Sequence, residues 1–121
     1  MLKNLLSSAP KTEPLLRIYA NYISFNEAAA CLLQMDDGGS LSVMQDDRDG
    51  YVYVANNPDA KVAYRAKKIG NILFFYDAKL AHRLAEVMEG RGTYRVCESE
   101  KTEFMGHQYY NVFTKKYGTD K

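Results

Sequence analysis

Residues 21–33, Asn-Tyr-Ile-Ser-Phe-Asn-Glu-Ala-Ala-Ala-Cys-Leu-Leu, pass from a strand pattern straight into a helix pattern with no loop between them. Asn26 is the pivot. Its side-chain oxygen suits a helix N-cap, where it accepts from an otherwise unpaired backbone N–H. Glu27 then suits the positive end of the helix dipole. Ala29, Leu32, Leu33 and Met35 recur at helical spacing and offer an inward face, and Asp36-Asp37-Gly38-Gly39 ends the helix. A strand joined this tightly to a helix buries both on one side, so the rest of the chain has to supply the sheet that covers them.

A second version stands about fifty residues later. Gly70-Asn71 reads as a turn, 72–75 as an apolar strand, and Asp77 as the cap of a longer helix. That helix carries the stripe Leu80, Ala81, Leu84, Val87 and Met88 and stops at Gly90. Ile23 matches Ile72, and Phe25 matches Phe74. Around these units the alternation of Leu16, Ile18 and Ala20 reads as a strand, with Asn21 marking a bend. Leu41 and Val43 pair with 51–54 as a hairpin across the turn 45–50, whose Asp49-Gly50 is a strong hairpin signal. Val62, Tyr64 and Ala66 form another alternating strand, and 93–97 with 109–114 form a closing hairpin joined by the polar stretch 98–107.

The expected fold class is therefore α+β: duplicated β-α-β-β units, residues 15–57 and 61–116, forming one compact domain with a mainly antiparallel sheet. A length of 121 residues fits one domain. Residues 1–14, with Pro10 and Pro14, read as a flexible arm, and 117–121 as a polar tail. Nothing approaches the ~20 consecutive apolar residues of a membrane span, and the start does not read as a secretory signal, so the expected location is cytoplasmic. Cys31 and Cys97 form no C-x-x-C pair and read as two reduced core residues, so neither a zinc site nor a redox site is expected.

Net charge is +1, so no whole-molecule field steers polyanions, and any nucleic-acid contact has to come from a local patch. Residues 61–68 supply one. An unbroken strand there puts Lys61, Arg65 and Lys67 on one face, with Tyr64 and Lys68 on the other. Basic side chains neutralise phosphates, and a neighbouring ring stacks on a base. Arg17, Tyr19 and Tyr22 extend the same surface if the equivalent strands lie side by side. An edge strand guarded by lysines accounts for the same pattern without a ligand.

Other constellations point less far. Residues 45–50 have part of a calcium-loop spacing, but Gln45 and Asn56 stand where carboxylates belong, so a plain hairpin turn is expected and no metal. His82 falls on the polar face of the second helix and His107 in a loop, with no acidic partner evident for either. Glu98, Glu100 and Glu103 read as solubilising charge on an exposed turn. Gly90-Arg91-Gly92 follows a helix, where a phosphate loop precedes one. No set of nucleophile, base and pocket is complete, and neither enzyme nor cofactor is expected.

Residues 21–53 resemble the AbrB-type swapped-hairpin domains of bacterial transition-state regulators and some antitoxins. Residues 21–26 stand where that family has G-R-[IV]-[TV]-[IL]-P, and 33–39 where it has L-G-[IL]-x-x-G-D, with Leu41 and Val43 following in place. The resemblance implies a DNA-binding transcription regulator that works as a homo-oligomer. The departures bear on the contacts: the family's arginine is Tyr22 here and Asn71 in the second copy, its proline is Asn26 and Phe75, and its basic helical pair falls on Ala30 and Cys31. Arg65 and Lys79 lie near family basic positions in the second copy, which makes the chain similar to a fused pseudo-dimer. A remoter similarity is to the whirly and positive-cofactor single-strand binders. The reading of function is a non-enzymatic nucleic-acid-binding regulatory or accessory protein using Arg65, Lys67, Lys68, Lys61, Tyr64, Arg17 and Lys79. The alternative is an antitoxin-like or oligomeric assembly module with a protein partner and no nucleic acid.

Overall fold

Along the chain the elements run hairpin, helix, hairpin, then one short strand, then hairpin, helix, hairpin. The computed structural model describes residues 13–117. The expected arm and tail lie outside the described residues except for Glu13, Pro14 and Tyr117. Glu13 and Pro14 are already attached to the sheet: the Pro14 carbonyl accepts from the Val96 N–H (2.9 Å), and the Glu13 carboxylate pairs with Arg95.

Strands β1 (Leu15–Ile18) and β2 (Ile23–Phe25) form the first hairpin, followed by α1 (Glu27–Leu33). Next come β3 (Ser40–Gln45), β4 (Val52–Asn56), β5 (Tyr64–Arg65), β6 (Lys67–Ile69) and β7 (Ile72–Phe75). Among the described residues α2 (Ala78–Val87), β8 (Gly92–Phe104) and β9 (His107–Lys116) follow. The nine strands form one sheet in the order β5-β3-β4-β9-β8-β1-β2-β7-β6, and every pairing is antiparallel. The mixed α+β class with a mainly antiparallel sheet is thus as expected. The expected order β-α-β-β is not the one seen, because the run at 15–25 is two strands, folded back at 19–22 where Tyr19 N–H donates to Tyr22 O (2.9 Å).

The two edges of the sheet, β5 and β6, are consecutive in sequence and separated only by Ala66. Ala66 is buried, its N–H donates to Gly39 O (2.9 Å), and its carbonyl accepts from Gly38 N–H (2.8 Å). The sheet therefore curls nearly shut, with residues 64–69 as its seam. This corrects the expected strand at 61–68. Alternation of type continues through Ala66, but the segment bends there to serve both edges, and Lys61 lies ahead of it in no strand.

Inside the curl sit Leu16, Ile18, Ile23, Phe25, Leu41, Val52, Val54, Leu73, Phe75, Tyr94, Val96 and Val112. α1 adds Ala29, Ala30 and Leu33, and α2 adds Leu80, Ala81 and Leu84. Both caps act as expected: Asn26 Oδ1 accepts from Ala29 N–H (2.9 Å) and Asp77 Oδ1 from Leu80 N–H (3.0 Å). Asn26 also ties the helix to the sheet, accepting from Leu15 N–H (3.0 Å) and donating to Glu13 O (2.7 Å).

Four further expectations are corrected. Cys31 is exposed, because α1 turns Ala29, Ala30 and Leu33 inward and leaves Cys31 on the far side; Cys97 is half-buried. Ile72 and Phe74 face outward while Leu73 and Phe75 are buried, so Leu73 and Phe75, each one residue further on than the sequence match has it, are the inward-facing residues of β7 as Ile23 and Phe25 are of β2. Residues 98–104 continue β8 as strand, which places Glu98, Glu100 and Glu103 on a long hairpin arm turned at Met105-Gly106. His107 does have an acidic partner, Asp59, 3.3 Å from its Nε2.

Candidate functional site

The outer face of β1, β2, β7 and β6 carries a continuous row. Cross-strand registers place Lys67 beside Phe74, Phe74 beside Ser24, Ser24 beside Arg17, and Arg17 beside Thr93. Arg17 and Lys67 thus stand at equal distances from the central Ser24–Phe74 pair, about 14 Å apart at the usual strand spacing. Both are exposed, and neither is in an ion pair with a described residue. Arg17 is steadied by hydrogen bonds from Nε to Thr93 Oγ1 (3.0 Å) and from Nη1 to the Tyr19 hydroxyl (3.4 Å).

Aromatic rings fill the space beside this row. Tyr19 and Tyr22 stack with centroids 4.4 Å apart, and Phe74 and Tyr76 stack at 5.7 Å with planes 7° apart. Tyr22 joins the two pairs, 5.9 Å from Phe74 and 5.5 Å from Tyr76. The four rings form one patch, and Tyr76 is its most open member at 58% exposure. The patch arises because β7 sends Leu73 and Phe75 inward, so Phe74 and Tyr76 emerge on the other side.

At the seam the face meets a cleft of about 590 Å3, lined among others by Arg65, Lys67, Lys68, Tyr76 and Asp77. Here the structure brings together four residues singled out from the sequence: Tyr64, Arg65, Lys67 and Lys68. Lys68 is engaged by Asp36, 3.3 Å away, and its backbone N–H donates to Asp37 Oδ1 (2.7 Å). The Asp37 backbone N–H, followed by Lys68, holds the Asp36 carboxyl below its ordinary value.

No family model, no curated protein and no solved structure matches this chain. The site therefore stands on its own geometry.

Of the other sequence candidates, Arg17 is on this face, while Lys79 and Lys61 lie apart from it. Two strands separate Arg17 from β6, so the condition under which Arg17, Tyr19 and Tyr22 extend the surface of residues 61–68, equivalent strands side by side, is not met. Tyr64 turns inward against the core. With Lys79 and Arg83 it also lines a different cavity of about 390 Å3, between α2 and β3–β4. Lys61 stands in the exposed connection before the seam. Turn 45–50 is closed by its own bonds: Asp46 Oδ1 accepts from Arg48 N–H (2.8 Å), and Asp49 Oδ1 from Tyr51 N–H (2.9 Å). The Arg48 side chain beside Asp46 lowers that carboxyl's pKa. Among the described residues no three His, Cys, Asp or Glu come together to hold a metal ion, and no helix is long and apolar enough to cross a membrane. Phe74 and Tyr76 are the functional candidates that sequence reasoning missed. Their signal was shared parity within 72–76, obscured because Ile72 to Phe75 is apolar throughout.

Proposed function

We propose that this chain is a non-enzymatic nucleic-acid-binding protein, regulatory or accessory in type, that grips phosphates on the outer face of β1, β2, β7 and β6. The observation that carries this reading is the row Lys67–Phe74–Ser24–Arg17, with a cation at each rim that is in no ion pair among the described residues and none of its members acidic. Arg65 adds charge at the seam. A net charge of +1 leaves the remainder of the molecule no strong attraction of its own, so affinity has to reside in such a patch.

An internal duplication belongs to the same reading. If β1-β2-α1-β3-β4 is exchanged with β6-β7-α2-β8-β9, the strand order maps onto itself around the curl, with the β5 seam standing in for the contact between β8 and β1. In that exchange Arg17 answers to Lys67 about the Ser24–Phe74 pair. This order supports a fused, AbrB-like pseudo-dimer, and with it a cytoplasmic regulator.

The test is fluorescence anisotropy of labelled DNA at two salt concentrations. Binding is expected to weaken steeply with salt, and Arg17→Ala with Lys67→Ala to lower the salt slope by about 1 per cation removed. Both side chains are exposed, so the double variant should fold. An unchanged affinity and slope in that variant would refute the site. The assembly-module reading is favoured instead by Tyr51 just before β4, Met105 in the β8–β9 turn and Phe113 on β9, large side chains left exposed. It predicts concentration-dependent association in sedimentation and no salt-sensitive binding to polynucleotide.

A further inference from the structure

We infer that the nucleic acid this face takes is single-stranded, its bases stacked on the patch of Tyr22, Phe74 and Tyr76 while its phosphates reach the rims at Arg17 and Lys67. The inference rests on the phosphate-binding reading above and narrows it.

Phosphate contacts alone do not explain why rings lie between the cations. Aromatic rings on a sheet contribute to nucleic-acid binding by stacking on base faces, and every base has such a face. In a duplex those faces are covered by neighbouring base pairs, and only edges are offered in the grooves. Reading those edges takes an element slim enough to enter a groove, a helix or a two-stranded ribbon. This face is four strands wide and closed on both sides by further sheet or by the seam. Its helices do not project from it, since α1 and α2 both send side chains into the core. A duplex would meet the cations and leave the rings idle; a single strand uses both.

The layout also fixes how such a strand lies. The cations stand at the two flanks of the row and the rings in its middle and along one side of it. The strand therefore crosses β1, β2, β7 and β6 with its backbone held at the flanks and bases turned down between them. Tyr76 is exposed, and Tyr22 half-buried, beside the Ser24–Phe74 pair. Ser24, small and itself buried, leaves a low point at the centre of the row. The tyrosine hydroxyls add donors for phosphate or base edges without changing the stacking surface.

Three labelled probes of about 15 nucleotides, within the span such sheets cover, separate this inference from its parent. One is a thymidine homopolymer, one the same polymer without bases, and one a duplex of equal length. The homopolymer is expected to bind at least tenfold tighter than either of the others. Tyr76→Ala, at a position already 58% exposed, is expected to weaken the homopolymer about 5- to 100-fold, leave the abasic polymer unchanged, and be rescued by Tyr76→Phe. The chain has ten tyrosines and no tryptophan, so stacking also shows as quenching of tyrosine emission by the homopolymer and not by the abasic chain. Equal binding of all three probes, or no effect of Tyr76→Ala, overturns the single-strand inference and leaves the phosphate reading standing. No binding of any probe overturns both.

Discussion

Phe75→Ala is expected to destabilise the fold by about 3–5 kcal/mol, the range for removing a fully buried ring. Phe75 is 1% exposed on β7, and its ring lies 5.6 Å from that of Phe25, which is 0% exposed on β2. The two strands pair directly, with Ile23 opposite Phe75 and Phe25 opposite Leu73. The rings therefore join the first hairpin to the third at the β2–β7 junction, beneath the aromatic patch. A domain of this size has a total stability of about 5–15 kcal/mol, so the variant would approach the edge of folding. Urea unfolding followed by tyrosine emission or circular dichroism measures the loss. Phe25→Ala should cost a similar amount. The double variant should fall short of the sum by about 0.5–1.5 kcal/mol, the coupling of a ring pair in contact. A loss under about 1 kcal/mol for Phe75→Ala would mean that the ring is not packed as described.

Tyr109→Phe removes one oxygen and is expected to cost about 1–3 kcal/mol. The Tyr109 hydroxyl donates to Ser42 Oγ and accepts from Asn57 Nδ2, both at 2.9 Å. Ser42 is 4% exposed and Asn57 3%, so neither recovers a water partner when the hydroxyl goes. The penalty comes from leaving polar groups buried and unpaired, which exceeds the net worth of the bonds themselves. Adding Ser42→Ala should accordingly return part of the loss, because the pair is then replaced on both sides. Greater loss in the double variant than in Tyr109→Phe alone would contradict this account. Phe104 packs edge-on against Tyr109 with centroids 6.0 Å apart, so the same residue anchors the long β8–β9 hairpin where it lies over the sheet.

Much of the local structure was legible in the sequence. The alternation of Leu16, Ile18 and Ala20 marked a strand, and Leu16 and Ile18 are buried there; the hairpin of Leu41 and Val43 with 51–54 forms as β3 and β4. Asn26 and Asp77 were readable as caps because a short polar side chain ahead of a helical stripe has few other uses. Gly70-Asn71 was readable as a turn, and Gly70 does take a positive φ of 64° there. What failed to show had specific causes. β8 beyond Cys97 has water on both faces, so it carries no alternation to mark it as strand. Its turn, Met105-Gly106, needs positive φ at both residues, and methionine gives no warning of that. Residues 61–68 alternate without interruption, yet the bend at Ala66 depends on Gly38 and Gly39, nearly thirty residues away. The candidate face was half legible for the same reason. Its cations could be named from charge, but which rings lie between them is decided by the pairing of β2 with β7, a contact fifty residues long in sequence.

The two halves of the chain are woven through one another: β8 pairs with β1, β7 with β2, β9 with β4 and β5 with β3. Residues 57–63 join them, an exposed connection at Lys61 and Val62. As separate peptides the halves would have to meet before either could complete its sheet, and the folded fraction would rise and fall with dilution. The tether removes that dependence by holding each half at a high effective concentration about the other. A protease that cuts beside Lys61 breaks no strand pair. The clipped molecule keeps its shape until it is diluted or unfolded, and from then on its recovery is a second-order process.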